Sequence, residues 1–126
     1  MTDPSAIDKL LAQARSTLDR VRVENLPDEV ARGALLIDIR PIEQRRRDGV
    51  LPDAVVVDRN VLEWRLDPTS PHRLPLDVGP DARLIIVCNE GYSSSLAAAT
   101  LNELGLRFAT DLVGGFQAWR TWSASG

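Results

Sequence analysis

The sequence predicts an α/β domain built on a largely parallel sheet with helices covering both faces. Two observations carry this expectation. Short, uniformly apolar segments such as Leu35-Leu36-Ile37 and Leu84-Ile85-Ile86-Val87 lack the alternation of a sheet with one wet face, which is how strands buried on both sides read. Between them lie stretches with helix starts and glycine stops, and strands alternating with helices imply right-handed crossovers and parallel pairing. A length of 126 residues suits one such unit. A chain of this size can bury roughly 65–70% of its unfolded surface in one core.

The elements follow in order. Ser5 with Asp8 three residues on reads as a helix cap, with Asp3-Pro4 as a rival start, and apolar residues at Ile7, Leu10, Leu11, Ala14, Leu18 and Val21 make one amphipathic helix. A helical turn around Pro27 to Arg32 stops at Gly33, and Ala34 to Asp38 is the first buried strand. Pro41 suits the first turn of a helix over Ile42 to Arg47 that ends at Gly49. Ala54 to Asp58 supplies a β-branched strand, and Asn60 to Leu66 another short helix. Asp67 to Asp81 holds four prolines, one glycine and the lone His72, and is a long loop. Arg83 to Cys88 is the most apolar strand, followed by a tight loop, a helix opened by Ser93-Ser94-Ser95 and stopped at Gly105, a last strand near Thr110 to Val113, and a helical turn with Phe116, Trp119 and Trp122. Residues 123–126 form a frayed tail. The other aromatics, Trp64 and Phe108 among them, are expected in the core.

Composition removes several function classes. With 44% hydrophobic and 26% charged residues and a net charge of −3, the chain reads as globular and has no global field for a polyanion. Its longest apolar runs fall far short of the roughly 18 residues a membrane span needs. Met1-Thr2-Asp3-Pro4 lacks the basic and apolar parts of a secretory signal, so the expected location is cytoplasmic. One cysteine and one histidine leave too few ligands for a structural metal site. Fourteen arginines against a single lysine are read as a compositional bias without a role. Arg45-Arg46-Arg47, beside Glu43 and Asp48, is a solvated face.

The chemistry centres on Cys88. It stands where the best strand ends and a helix is about to begin, so loop amides and the helix amino terminus can stabilise a thiolate. Gly91 lets the loop backbone adopt the left-handed conformation that turns successive amides toward one point. Placement alone leaves two readings open, an activated thiol or the buried last residue of a strand.

The loop Cys88-Asn89-Glu90-Gly91-Tyr92-Ser93-Ser94 resembles the Cys-x-x-Gly-x-Arg-Ser active loop of the rhodanese-like sulfurtransferases. Three further pieces agree in order and spacing. Leu36-Ile37-Asp38-Ile39-Arg40 is similar to the family's opening strand with its Asp-x-Arg ending, Gly49 to Ala54 to its Gly-His-Ile-Pro-Gly-Ala, and Leu112 to Trp119 to its closing Leu-x-Gly-Gly-x-x-x-Trp. The match covers about Gly33 to Trp122, so residues 33–122 are taken as a rhodanese-like domain and residues 1–32 as a helical extension packed on it.

This resemblance implies an α/β fold with about five mainly parallel strands, no metal and no organic cofactor. It implies that Cys88 takes a sulfane sulfur from a donor, becomes a persulfide and passes the sulfur to a nucleophile such as a thiol, cyanide or a protein acceptor. Asn89, Glu90, Gly91, Tyr92, Ser93 and Ser94 would surround the substrate. Ser93 stands where many members carry arginine, which puts thiosulfate preference in doubt; Arg59, at the end of the second strand, is the expected replacement cation, with Arg40 read first as a structural ion pair. Trp64 could wall the pocket, and His72 could serve Cys88 only if its loop folds over the site. The alternatives are a sulfur carrier or a binding or sensing module with little turnover. A phosphatase on the same fold would need arginine six residues after the cysteine, where Ser94 stands. No nucleic acid or membrane partner is expected, and the state is a monomer or weak homodimer.

Overall fold

The computed structural model describes residues 3–126. Helix α1 (Ala6–Arg15) is capped by the Ser5 hydroxyl, which accepts the Asp8 N–H, as the sequence predicts. It ends earlier than its apolar spacing suggests. The hydroxyls of Ser16 and Thr17 donate to the carbonyls of Gln13 and Ala14, and this local bonding breaks the helix before Leu18. A 3₁₀ turn (Val23–Asn25) then leads into α2 (Leu26–Ala31), β1 (Leu35–Asp38) and α3 (Ile42–Asp48). Gly49 at φ +101° stops α3 in the left-handed region, where a side chain would be strained.

Strand β2 (Val55–Val56) is followed by a 3₁₀ turn (Arg59–Val61) and α4 (Leu62–Leu66), and no helix or strand forms again until β3 (Leu84–Val87). Leu74, Leu76 and Val78 nonetheless tuck the intervening loop against the core. Helix α5 (Ser93–Glu103), β4 (Thr110–Asp111) and α6 (Gly115–Ala124) complete the chain. Because α6 runs to Ala124, Ser123 and Ala124 are helical rather than part of a frayed tail.

All strand pairs are parallel and the order is β2-β1-β3-β4. The resemblance implies about five strands; among the described residues four form. The place beside β4 is taken by a single-residue bridge, in which the Val21 N–H donates to the Asp111 carbonyl and the Val113 N–H to the Val21 carbonyl. Both neighbours of Val21 are arginines, and the chain turns into the 3₁₀ helix two residues later, so no longer pairing develops.

Alternate strand residues build two cores. Ile37, Leu84 and Ile86 meet Leu62, Leu66, Ala97 and Leu101 of α4 and α5, while Leu36, Ile85 and Val87 meet Leu26 of α2 and Phe116 of α6. Helix α1 lies outside the first layer, against α5. The aromatic expectation fails in part. Phe116 is buried, but Trp64, Phe108 and Trp122 are exposed, since short helices and a thin sheet leave their positions on the outer surface.

Strand order reverses between β1 and β3, and a crevice opens at the carboxyl ends of strands at such a point. Arg40 follows β1 there and Cys88 follows β3.

Candidate active site

Cys88 is buried apart from a small opening, and its Sγ accepts the N–H groups of Gly91 at 3.1 Å and Ser94 at 3.4 Å. A cavity of about 260 Å³ lies over it, lined by Ile39, Arg40, Pro41, Gln44, Asn89, Glu90, Tyr92 and Ser93. Burial pushes the thiol pKa up. The hydroxyls of Ser94 and Ser93 and the amides of Ser94 and Gly91 pull it down further, so it lies below the ordinary thiol value. The Ser94 hydroxyl has a single proton, and Asp111 Oδ2 receives it at 2.7 Å. With that proton on Asp111, the donors to sulfur are the Gly91 and Ser94 amides.

The loop owes its shape to groups behind it. Gly91 sits at φ +87°, and a Cβ there would approach Gly114 N to 2.8 Å, so only glycine fits against the start of α6. The N–H groups of Phe116 and Gln117 donate to the carbonyls of Cys88 and Asn89. The Gln117 amide also donates to Asn89 Oδ1 and to Asp48 on α3. The Arg47 guanidinium beside Asp48 holds its carboxyl down at about 2.

The Gly91 carbonyl accepts from Arg15 Nη2 at 2.7 Å and Arg20 Nη2 at 3.0 Å. Arg20 forks onto fully buried Asp111, whose Oδ2 also takes the hydroxyl protons of Ser94 and Ser95. Arg15 Nε closes the ring by donating to Ser95 Oγ at 3.0 Å.

Reading the sequence did not single out Arg15, Arg20 or Asp111. One signal was available: an acid inside a strand buried on both faces needs a cation, and Asp111 is such an acid. Its partner is 91 residues away, so nothing local distinguishes Arg20 from the other arginines.

The other expected site residues divide. Asn89, Glu90, Tyr92 and Ser93 line the cavity, while Gly91 and Ser94 form its floor at the sulfur. Arg59 does not join them: it pairs with Glu63 one helical turn on and is absent from the cavity wall. Trp64 is exposed and His72 stays in its own loop, where its carbonyl accepts from Arg65. Arg40 is the structural ion pair expected of it. Its guanidinium grips Asp38 and the Gly49 carbonyl, lies 3.7 Å over the Phe116 ring, and leaves only Nη1 without a partner among the described residues.

A parallel sheet that presents a cysteine in an amide-lined loop at its carboxyl edge defines a class that comparison identifies. The rhodanese-like domain model matches residues 22–121, and the chain belongs to that family. The adenylyltransferase and sulfurtransferase UBA4 of Lodderomyces elongisporus is 32% identical over 96 residues, which cover 75% of this chain and 21% of that protein. The chain thus spans about a fifth of the length of the curated relatives it matches. Among solved structures, RPA3614 of Rhodopseudomonas palustris, described as a protein of unknown function and possible tyrosine phosphatase, aligns with a TM-score of 0.84 and 29% identity over 98% of this chain and 95% of that one. The rhodanese homolog TT1651 of Thermus thermophilus aligns with a TM-score of 0.56 and 33% identity over 79% of this chain and 98% of that one. Among the described residues, no helix is long and apolar enough to cross a membrane.

Proposed function

We propose that this protein is a sulfurtransferase that works through a persulfide on Cys88. The observation that carries the reading is the sulfur itself, held by two amide donors at the floor of an open cavity with its pKa lowered. The Cys88 thiolate attacks the outer sulfur of a donor, the donor's sulfur–sulfur bond breaks, and its remainder leaves with the electron pair. An acceptor thiolate then attacks the outer sulfur of the persulfide and releases Cys88 as a thiolate. This is nucleophilic catalysis in two half-reactions, with amides stabilising charge on sulfur.

The donor class follows from charge. Glu90 is an anion on the cavity wall, and Arg40, the one guanidinium there, is already balanced by Asp38. A dianion such as thiosulfate gains little in such a cavity. A persulfide carried on another protein, docking against the exposed Tyr92 and the adjoining Pro41, suits it better.

The phosphatase description of RPA3614 raises a second reading. Phosphoryl oxygens call for a guanidinium in the loop. Ser94 occupies that position, so phosphate transfer lacks its main electrostatic group. Sulfur transfer from a panel of donors to cyanide or a small thiol tests the proposal. Cys88→Ser is expected to keep the fold and lose all transfer, because a hydroxyl in this loop does not ionise at neutral pH; retained transfer in that variant would refute the mechanism.

A further inference from the structure

Arg15 and Arg20 lie outside residues 22–121, the segment that defines the family, yet both end on the loop that carries Cys88. We propose that they are positioning residues for the nucleophile: their joint grip on the Gly91 carbonyl fixes the turn whose N–H groups bear on the sulfur. The inference rests on Cys88 acting as a thiolate nucleophile.

The geometry is specific. A left-handed glycine has a wide choice of conformations, and Gly91 must keep one in which its N–H stays 3.1 Å from Sγ. Two guanidinium donors on its carbonyl, with the start of α6 packed behind, remove that choice. Ser94, whose N–H is the second donor to sulfur, is tied to the same ring through its hydroxyl on Asp111. One hydrogen-bonded unit, from Arg15 through Ser95 and Asp111 to Arg20, thereby holds both amide donors.

The two arginines differ in charge balance. Arg20 is neutralised by Asp111, whereas among the described residues Arg15 meets the Ser95 hydroxyl, the Gly91 carbonyl and the Tyr92 ring. The charged groups around Cys88 from every neighbouring element are Asp38 with Arg40 after β1, Asp48 with Arg47 and Arg120 at α3 and α6, Asp111 with Arg20 at β4, Glu90 on the loop, and Arg15. Asp38 and Asp111 are each balanced by one arginine, and Asp48 faces two, Arg47 and Arg120. Arg15 acts on the thiolate through the loop it holds, since the lowering of the Cys88 pKa comes from hydrogen-bond donors.

The pH dependence of Cys88 alkylation by iodoacetamide in the full chain tests this, and it reads the thiolate with no sulfur donor present. Arg15→Gln is expected to raise the midpoint by about half a unit to one unit. Arg15→Lys, which keeps the charge and loses the two-pronged contact, is expected to raise it by less. Leu66→Ala opens the core beneath α4, which contributes no residue to the cavity or to the ring, and is expected to lower Tm and leave the midpoint in place. The proposal is overturned if Arg15→Gln titrates like wild type, or if Leu66→Ala moves the midpoint as far as Arg15→Gln does. Should Arg15→Gln not fold, Arg15→Lys decides by the same criterion. A wild-type midpoint at the ordinary thiol value would instead count against the activated nucleophile, whatever Arg15 does.

Discussion

Two aspartate–arginine pairs with buried carboxylates flank the cysteine, one at the end of β1 and one reaching β4, and they do different work. In each, an arginine grips its carboxylate through two nitrogens and spends Nη2 on a glycine carbonyl as well: Gly49 for Arg40, Gly91 for Arg20. Asp38 and Arg40 are two residues apart and close on themselves, fixing the turn after β1 and the helix that follows. Asp111 and Arg20 come from opposite ends of the chain, and two serines of α5 share the carboxylate. The first pair shapes the crevice wall; the second holds the loop that presents the nucleophile. A pair of the same chemistry thus acts structurally or on reactivity according to which backbone carbonyl its arginine reaches.

Breaking the pairs gives the largest expected effects. Asp38→Asn leaves the buried Arg40 guanidinium without its counter-charge and is expected to cost about 3–5 kcal/mol in denaturant unfolding, and Asp111→Asn, whose Arg20 partner reaches water, is expected to cost less. Only Asp111→Asn is expected to shift the alkylation midpoint of Cys88 upward in the folded protein. Equal shifts from both would erase the distinction between the pairs.

Gly91→Ala attacks the carbonyl that the second pair holds. Its φ of +87° and the 2.8 Å approach of a Cβ to Gly114 N force the loop to move, with strain of about 1–3 kcal/mol before that contact is relieved. Sulfur transfer is expected to fall more steeply than stability, measured as kcat/KM beside Tm.

Changes on the open side of the loop leave both pairs intact and isolate specificity from positioning. Ser93→Arg puts a cation where the cavity has none to spare, and a charge-assisted contact worth about 1.5–3 kcal/mol is expected to lower the half-saturating thiosulfate concentration, less so at high salt. The smallest effect belongs to Glu90→Gln, which removes an exposed anion and is expected to lower the thiol midpoint slightly. The sign of the stability link follows from the lowered thiol. Ionised Cys88 adds stability above the ordinary thiol pKa, and this is lost as pH falls through the lowered value. Cys88→Ser is expected to flatten that part of the pH–stability curve.

The same two pairs show what the sequence makes legible. Asp38 and Arg40 are read directly as an Asp-x-Arg ending because both lie on one strand end, and Cys88 with its glycine is read because a strand, a tight loop and a helix start stand side by side. Local order also yields the parallel sheet, the Ser5 cap and the stop at Gly49. The Arg20–Asp111 pair depends on chain folding over 91 residues, and the reach of Arg15 depends on where α1 settles on α5. Arg59 misleads for a different, local reason. Its place after a strand put it at the correct edge, but Glu63 stands one turn further on the same short helical stretch and takes its charge.

The measurement that bears most directly on the central claim is the intact mass of the protein after incubation with sulfane donors, a protein persulfide and thiosulfate among them. The account predicts a gain of one sulfur atom on wild type, removed by a thiol acceptor and absent from Cys88→Ser. No gain with any donor, or the same gain in Cys88→Ser, would contradict it.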